Sequence, residues 1–153
     1  MTRGRSFLRT ASERNAGGPN VAALKSEADA PSKRTQSPKR VLIVEDNLDS
    51  VHSLALLVQE MGHHVDYAIN GYAALALAKR MRPDFVLLDL GLPGLDGFDV
   101  CKRIKGDPVL KTTRVIAITG YRQEEYRTKS KAAGCELHLI KPVDPKVFEQ
   151  ILD

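Results

Sequence analysis

The sequence contains little cysteine and no long apolar run. Its 153 residues include two cysteines, Cys101 and Cys135, which are too few for a disulfide framework and lack the CxxC spacing typical of zinc sites. No apolar stretch approaches the roughly 20 residues of a membrane-spanning helix, and the N-terminus lacks the apolar core of a secretory signal. The P-loop motif GxxxxGK is also absent, which excludes nucleotide binding of that kind. We therefore expect a reduced, cytoplasmic protein that does not contact a membrane.

The net charge of +4 is distributed unevenly along the chain. Residues 1–40 carry nine Lys and Arg against three Asp and Glu, whereas residues 41–153 carry fourteen against sixteen. The first segment is rich in Arg, Ser, Gly and Pro and has no apolar periodicity that could bury a face. We predict a disordered basic tail over residues 1–39 and one folded domain over residues 40–153. Because the tail has no folded domain that could recognise bases, we expect no specific nucleic-acid partner.

From residue 40 onward, short apolar runs alternate with stretches whose apolar residues lie three and four positions apart. The runs are typical of strands buried on both faces of a parallel sheet, and the periodic stretches are typical of helices. Strands are predicted at residues 41–44, 64–68, 85–88, 115–118 and 137–140. A helix is predicted after each strand, the last over residues 144–152. Five strands that alternate with five helices predict a doubly wound α/β fold with right-handed crossovers.

Polar side chains directly follow four of the five predicted strands. They are Glu45 and Asp46 after the first strand, Asp89 after the third, Thr119 after the fourth and Lys141 after the fifth. The carboxyl ends of parallel strands meet at one edge of the sheet, where ligands of such folds bind. The second strand carries no such group, which indicates that it lies at the border of the sheet.

The three carboxylates at this edge predict a divalent cation. Carboxylates that lie close together repel each other and raise each other's pKa unless a cation holds them. Carboxylate oxygens, a backbone carbonyl and water suit octahedral Mg²⁺. An Asp carboxylate that faces Mg²⁺ is a competent nucleophile for phosphoryl transfer, and Thr119 and Lys141 could then bind the phosphoryl oxygens.

Four segments carry a family resemblance: VLIVEDN, FVLLDLGLPGLDGFDVCKRI, VIAITG and LIKPVD, in that order. Over residues 40–152 the chain resembles the receiver domain of two-component response regulators. The resemblance implies a flavodoxin-like fold, with a five-stranded parallel sheet of order 2-1-3-4-5 and five helices.

The resemblance also implies roles for individual residues. Asp89 matches the phosphoacceptor, and Glu45 and Asp46 match the acidic pair that holds Mg²⁺, Asp46 directly and Glu45 through water. The backbone carbonyl of Gly91 matches a further metal ligand. Thr119 matches the switch hydroxyl.

Three further matches concern the region around the fifth strand. Lys141 matches the lysine that pairs with the phosphoryl group, and the Lys141–Pro142 bond matches one that is typically cis in the family. His138 stands where the family usually has a switch Tyr or Phe; its aromatic ring can still change rotamer, but it adds a titratable group there. Gly91 and Tyr121, two residues past Asp89 and Thr119, are expected to tune the lifetime of the phosphoryl group.

The resemblance implies a signalling switch rather than an enzyme, with at most self-catalysed phosphorylation and dephosphorylation. The expected phosphoryl donor is a histidine kinase or histidine phosphotransfer protein, and the expected output is a downstream protein partner. We expect either a stand-alone receiver or the receiver part of a hybrid kinase. Formation of a homodimer is compatible with both. Two alternatives are a Mg²⁺-dependent phosphohydrolase with an Asp nucleophile and a pseudo-receiver that only binds partners.

Overall fold

The computed structural model describes residues 37–153, so the predicted tail lies outside the described residues except for its last three. The strands are β1 Arg40–Val44, β2 His64–Ala68, β3 Phe85–Asp89, β4 Arg114–Thr119 and β5 Leu137–Ile140. The helices are α1 Leu48–Glu60, α2 Gly71–Met81, α3 Gly97–Gly106, α4 Glu124–Ala133 and α5 Pro145–Leu152. No helix within residues 37–153 is long and apolar enough to cross a membrane. Each predicted element is present, with bounds that differ by a few residues at most.

All five strands are parallel, and they lie in the order β2-β1-β3-β4-β5 that the family resemblance implies. The central strand β3 is apolar and buried along four of its five residues. By contrast, most of β2 is exposed, because it pairs with β1 alone and forms one border of the sheet.

Successive residues of the strands point to opposite faces of the sheet and pack into two separate cores. Leu42, Val86 and similar residues pack with α2, α3 and α4 on one face. Val41, Phe85 and similar residues pack with α1 and α5 on the other. Because helices cover both faces of the sheet, the odd and the even residues of a strand are both buried. This is the reason for the continuous apolar runs in the sequence.

Four of the five helices begin at a side-chain cap. Asn47, Asn70, Asp96 and Asp144 each accept a hydrogen bond from a backbone N–H of the first turn. Such a cap satisfies a donor that the helix itself leaves unpaired. After Asp144, Pro145 occupies the first helical position of α5, where its missing N–H costs no hydrogen bond.

Gly97 allows α3 to begin directly against the loop that follows β3. A Cβ atom at Gly97 would lie 2.6 Å from the Leu90 Cα and 2.8 Å from the Asp89 carbonyl oxygen. Both atoms belong to the backbone and cannot rotate away. This close approach fixes the position of the loop next to Asp89.

Candidate functional site

The three carboxylates that the sequence predicts at the sheet edge lie together. One oxygen from each of Glu45, Asp46 and Asp89 lies within 4.8 Å of the others. The register explains the proximity, because Val44 of β1 pairs with Leu88 of β3 and the acidic residues come next in each strand. Glu45 is buried, Asp89 is half-buried and Asp46 is exposed.

The Lys141 ammonium lies among these carboxylates. Its Nζ donates to Glu45 Oε1 at 2.8 Å and to Asp89 Oδ2 at 3.3 Å. Burial raises the pKa of Glu45, although the hydrogen bonds from Lys141 and from the Asn47 N–H oppose that rise. For Lys141, burial lowers the pKa, but hydrogen bonds and charges of Glu45 and Asp89 outweigh it, so the pKa is raised overall. The lysine therefore stays charged and partly neutralises the acidic cluster.

Backbone hydrogen bonds orient the remaining side chains of the site. The Gly91 N–H donates to Asp89 Oδ1 at 2.9 Å, and the Tyr121 N–H donates to the buried Thr119 Oγ1 at 3.1 Å. The Lys141 N–H donates to the Thr119 carbonyl at 2.8 Å, which holds the end of β5 beside β4. The Lys141–Pro142 peptide bond is cis, as the family resemblance implies.

Tyr121 lies across the loop after Asp89. A Cβ atom at Gly91 would lie 3.5 Å from the Tyr121 hydroxyl and 3.7 Å from Asp89 Oδ1. The Tyr121 ring stacks on Tyr126 of α4, with ring centres 4.6 Å apart, and Tyr126 lies 6.2 Å from the Phe98 ring of α3. This aromatic stack connects the site to both helices. Tyr126 and Phe98 are absent from the candidate residues of the sequence, because no sequence pattern reveals which helical rings meet.

His138 is buried and hydrogen-bonded to α4. Its Nδ1 lies 2.9 Å from the hydroxyl of the buried Ser130, whose Oγ also lies 3.0 Å from the Arg127 carbonyl. Its Nε2 is buried without a hydrogen bond of ordinary geometry among the described residues. Burial lowers the pKa of His138 and the charge of Arg127 adds to that effect, while the backbone of Tyr121 and the charge of Glu124 oppose it.

A cavity of about 620 Å³ opens beside the acidic cluster, between α1 and α5. Apolar side chains such as Leu54, Leu57 and Phe148 line most of it, and Asp89 and Lys141 lie on its wall. The candidate site is thus bordered by an apolar groove.

The sequence model of the family described as "Response regulator receiver domain" matches residues 41–153 of this chain. The chain belongs to this receiver family. Among curated relatives, the polar-differentiation response regulator DivK of Brucella anthropi is 36% identical over 115 residues, which cover 74% of this chain and 94% of DivK. Protein PilH of Pseudomonas aeruginosa is 36% identical over 109 residues, which cover 71% of this chain and 90% of PilH.

Solved structures agree with this assignment. The chemotaxis protein CheY4 of Vibrio cholerae is similar with a TM-score of 0.71 at 28% identity, covering 76% of this chain and 97% of CheY4. The receiver domain is a component of two-component phosphorelay signalling, and its acidic cluster is consistent with a Mg²⁺-dependent phosphoacceptor site. The receiver family is a signalling family and not a family of conventional enzymes. The predicted family, fold and general function are confirmed.

Proposed function

We propose that this receiver domain accepts a phosphoryl group on Asp89 and thereby switches a protein-binding face. The observation that carries the proposal is the convergence of Glu45, Asp46 and Asp89 within 4.8 Å, next to the Lys141 ammonium. Separate strands supply these groups, so their convergence is a property of the fold and not of one local turn. The roles that the family resemblance gives to these residues are part of this proposal.

The donor set fits Mg²⁺. It consists of oxygen atoms only, which hard cations prefer, and it leaves room for water and phosphoryl oxygens. Asp46 and Asp89 would bind the ion directly, Glu45 through water and Gly91 through its carbonyl. When bound, Mg²⁺ neutralises charge on the phosphoryl oxygens. In a similar solved structure, the receiver domain of a sensor histidine kinase from Pseudomonas aeruginosa, a magnesium ion is coordinated in the active site cleft; its TM-score is 0.70 at 28% identity, covering 76% of this chain and 95% of that domain.

In the proposed reaction, a carboxylate oxygen of Asp89 attacks the phosphorus of a phosphohistidine. A P–O bond forms, the P–N bond breaks, and the histidine nitrogen leaves with its electron pair. Lys141 lies 3.3 Å from Asp89 Oδ2, so its ammonium can follow the charge to a phosphoryl oxygen. The Thr119 hydroxyl accepts from the Tyr121 N–H, and its own proton can be donated to a second phosphoryl oxygen.

The partners follow from the same chemistry. A histidine kinase or histidine phosphotransfer protein supplies the phosphoryl group, and the apolar groove beside Asp89 offers a surface for its docking. A downstream protein then binds the face formed by α4, β5 and α5, where His138 stands in place of the usual Tyr or Phe. We propose residues 40–153 as the receiver domain and residues 1–39 as a basic tether. We also propose a cytoplasmic location, because histidine kinases draw phosphoryl groups from ATP.

Incubation with acetyl phosphate and Mg²⁺ tests the proposal. Intact-protein mass spectrometry is expected to show one acid-labile phosphoryl group per chain. The adduct should be lost in Asp89→Asn and retained in Asp66→Asn, a matched change at an exposed carboxylate of β2. A folded protein without any adduct would indicate a binding module. Many turnovers on small phosphate esters would instead support a phosphohydrolase, and either result would contradict the proposed switch.

A further inference from the structure

The two cysteines of the chain are in direct contact in the core. The Cys135 thiol donates a hydrogen bond to Cys101 Sγ, and the two sulfur atoms lie 3.2 Å apart. Cys101 belongs to α3, whereas Cys135 lies between α4 and β5, 34 positions later. Their exposed fractions are 0% and 6%.

The backbone around Cys135 is held firmly against α3. The N–H of Cys135 donates to the Ser130 carbonyl at 2.9 Å, and the N–H of Glu136 donates to the Val115 carbonyl at 2.8 Å. Before it, Gly134 has a φ of 108°, and a Cβ atom there would lie 2.7 Å from Lys105 Cγ. The contact between the two sulfur atoms is therefore fixed by the packing of α3 against the end of α4.

The environment distinguishes the two thiols chemically. The hydrogen bond from Cys135 lowers the pKa of Cys101; burial opposes this shift and the nearby charge of Lys105 adds to it, so the pKa is lowered overall. The thiolate is the reactive form of cysteine. Because both thiols are buried, oxidation requires a transient local opening of the fold that admits a small oxidant.

We propose that Cys101 and Cys135 are an oxidisable dithiol that a hydroperoxide converts into a disulfide. The Cys101 thiolate attacks one peroxide oxygen, the O–O bond breaks, and Cys101 becomes a sulfenic acid as the other oxygen leaves as water or alcohol. The Cys135 sulfur then attacks the sulfenic sulfur, the S–O bond breaks, and the sulfenic hydroxyl leaves as water with the proton of the Cys135 thiol. Two sulfur atoms are oxidised and two peroxide oxygens are reduced. This chemistry does not depend on the proposed role of Asp89.

The bond would connect α3 covalently to the junction of α4 and β5. Ser130 and His138, whose side chains link α4 to β5, lie on either side of Cys135 in the sequence. A disulfide at this position restrains the same end of α4 that the hydrogen bond between Ser130 and His138 restrains. Oxidation would thus limit movement of α4 relative to α3.

The test uses the reduced full-length chain and hydrogen peroxide. Thiol titration after denaturation is expected to fall from two thiols per chain to none, and a non-reducing tryptic digest is expected to contain one linked peptide pair with Cys101 and Cys135. Cross-link formation should be unchanged by dilution and should be faster in the folded protein than in urea. Oxidation should also raise the thermal midpoint, because the bond closes a long loop of the unfolded chain.

Cys101→Ala and Cys135→Ala provide matched controls, each of which should lose the linked peptide. Asp89→Asn should form the disulfide like the natural sequence, which separates this test from that of the phosphoacceptor. Retention of both thiols after peroxide treatment would overturn the proposal. Disulfides that join two chains, or that form equally fast in urea, would also overturn it.

Discussion

Lys141 Nζ lies 3.3 Å from Asp89 Oδ2, although β4 separates the strands that precede these two residues. The long lysine side chain crosses the end of β4 and also reaches Glu45, directly after β1. A single ammonium therefore links three strands of the sheet at the edge where the carboxylates meet. The ammonium therefore supplies part of the positive charge that a divalent cation would otherwise place beside these carboxylates.

This position predicts that Lys141→Met increases the affinity of the receiver domain for Mg²⁺. The ammonium repels a divalent cation and holds two of the carboxylates, so its removal should tighten binding roughly tenfold. Isothermal titration calorimetry measures the change. At the same time, the yield of phosphoryl adduct from acetyl phosphate should fall, because one group that binds the transferred oxygens is lost.

Lys102→Met is the matched control for this prediction. Lys102 is exposed on α3, so its substitution removes a positive charge away from the cluster. Equal changes in Mg²⁺ affinity for the two variants would show a general effect of net charge and would contradict the specific role of Lys141.

Tyr121→Ala is expected to shorten the lifetime of the phosphoryl group several-fold. The Tyr121 ring covers Gly91 beside Asp89 and is held by its stacking on Tyr126. Its removal opens a path for water to the acyl phosphate. Loss of phosphorylated protein after removal of the donor, followed on a phosphate-affinity gel, gives the rate. Tyr72→Ala, at an exposed ring of α2, should leave the rate unchanged; an unchanged rate in Tyr121→Ala would refute the shielding role.

The buried imidazole of His138 predicts lower stability in mild acid. Burial and the charge of Arg127 depress its folded-state pKa below the usual value, so the unfolded chain binds the proton more readily. The resulting loss of stability begins as pH falls through about 6.5 and ends below the folded-state pKa. Glu124 and the backbone of Tyr121 favour the charged ring and reduce the effect without reversing it.

His138→Phe should therefore flatten the dependence of the thermal midpoint on pH between about 5 and 7. Ser130 remains hydrogen-bonded to the Arg127 carbonyl in this variant, which limits the cost of the substitution. The control is His52→Asn, at an exposed position of α1, and it should retain the slope of the natural sequence. If the slope is the same in all three proteins, another group causes it.

Gly97→Ala is expected to destabilise the fold by about 1–3 kcal/mol, because the new methyl group would collide with backbone atoms of Leu90 and Asp89. Denaturant unfolding measures the change. The same substitution at Gly120 should be nearly neutral, since nothing lies within 4 Å of a Cβ atom there. The loop after Asp89 should also shift in Gly97→Ala and lower the yield of phosphoryl adduct. Equal stability of both variants would show that the loop moves away from the new methyl group at little energetic cost, which would contradict this prediction.

The residues alone were sufficient to predict a parallel sheet between helices and the convergence of Glu45, Asp46, Asp89 and Lys141 at one edge of it. The reason is geometric: parallel strands place their carboxyl ends at one edge, so a residue that follows a buried run has a defined location. The family resemblance added the strand order and the chemical role expected of each residue.

Contacts between helices could not be predicted in the same way. The pairing of Cys101 with Cys135, the partner of His138 and the stack of Tyr121 on Tyr126 depend on how far each helix is rotated about its axis. Apolar periodicity defines the buried face of a helix only to within a broad stripe. Rotations of the helix within that stripe are large enough to make or break contact between a given pair of side chains.

The ion pair between Glu45 and Lys141 spans 96 positions of the chain. During synthesis on the ribosome, the acidic residues that follow β1 emerge long before the lysine that neutralises them. The sheet cannot bring them together until β5 has been made. A prematurely terminated chain would carry every carboxylate of the cluster and lack its cation. The order of synthesis thus makes a competent site a late event, reserved for chains that have been translated almost to the last helix.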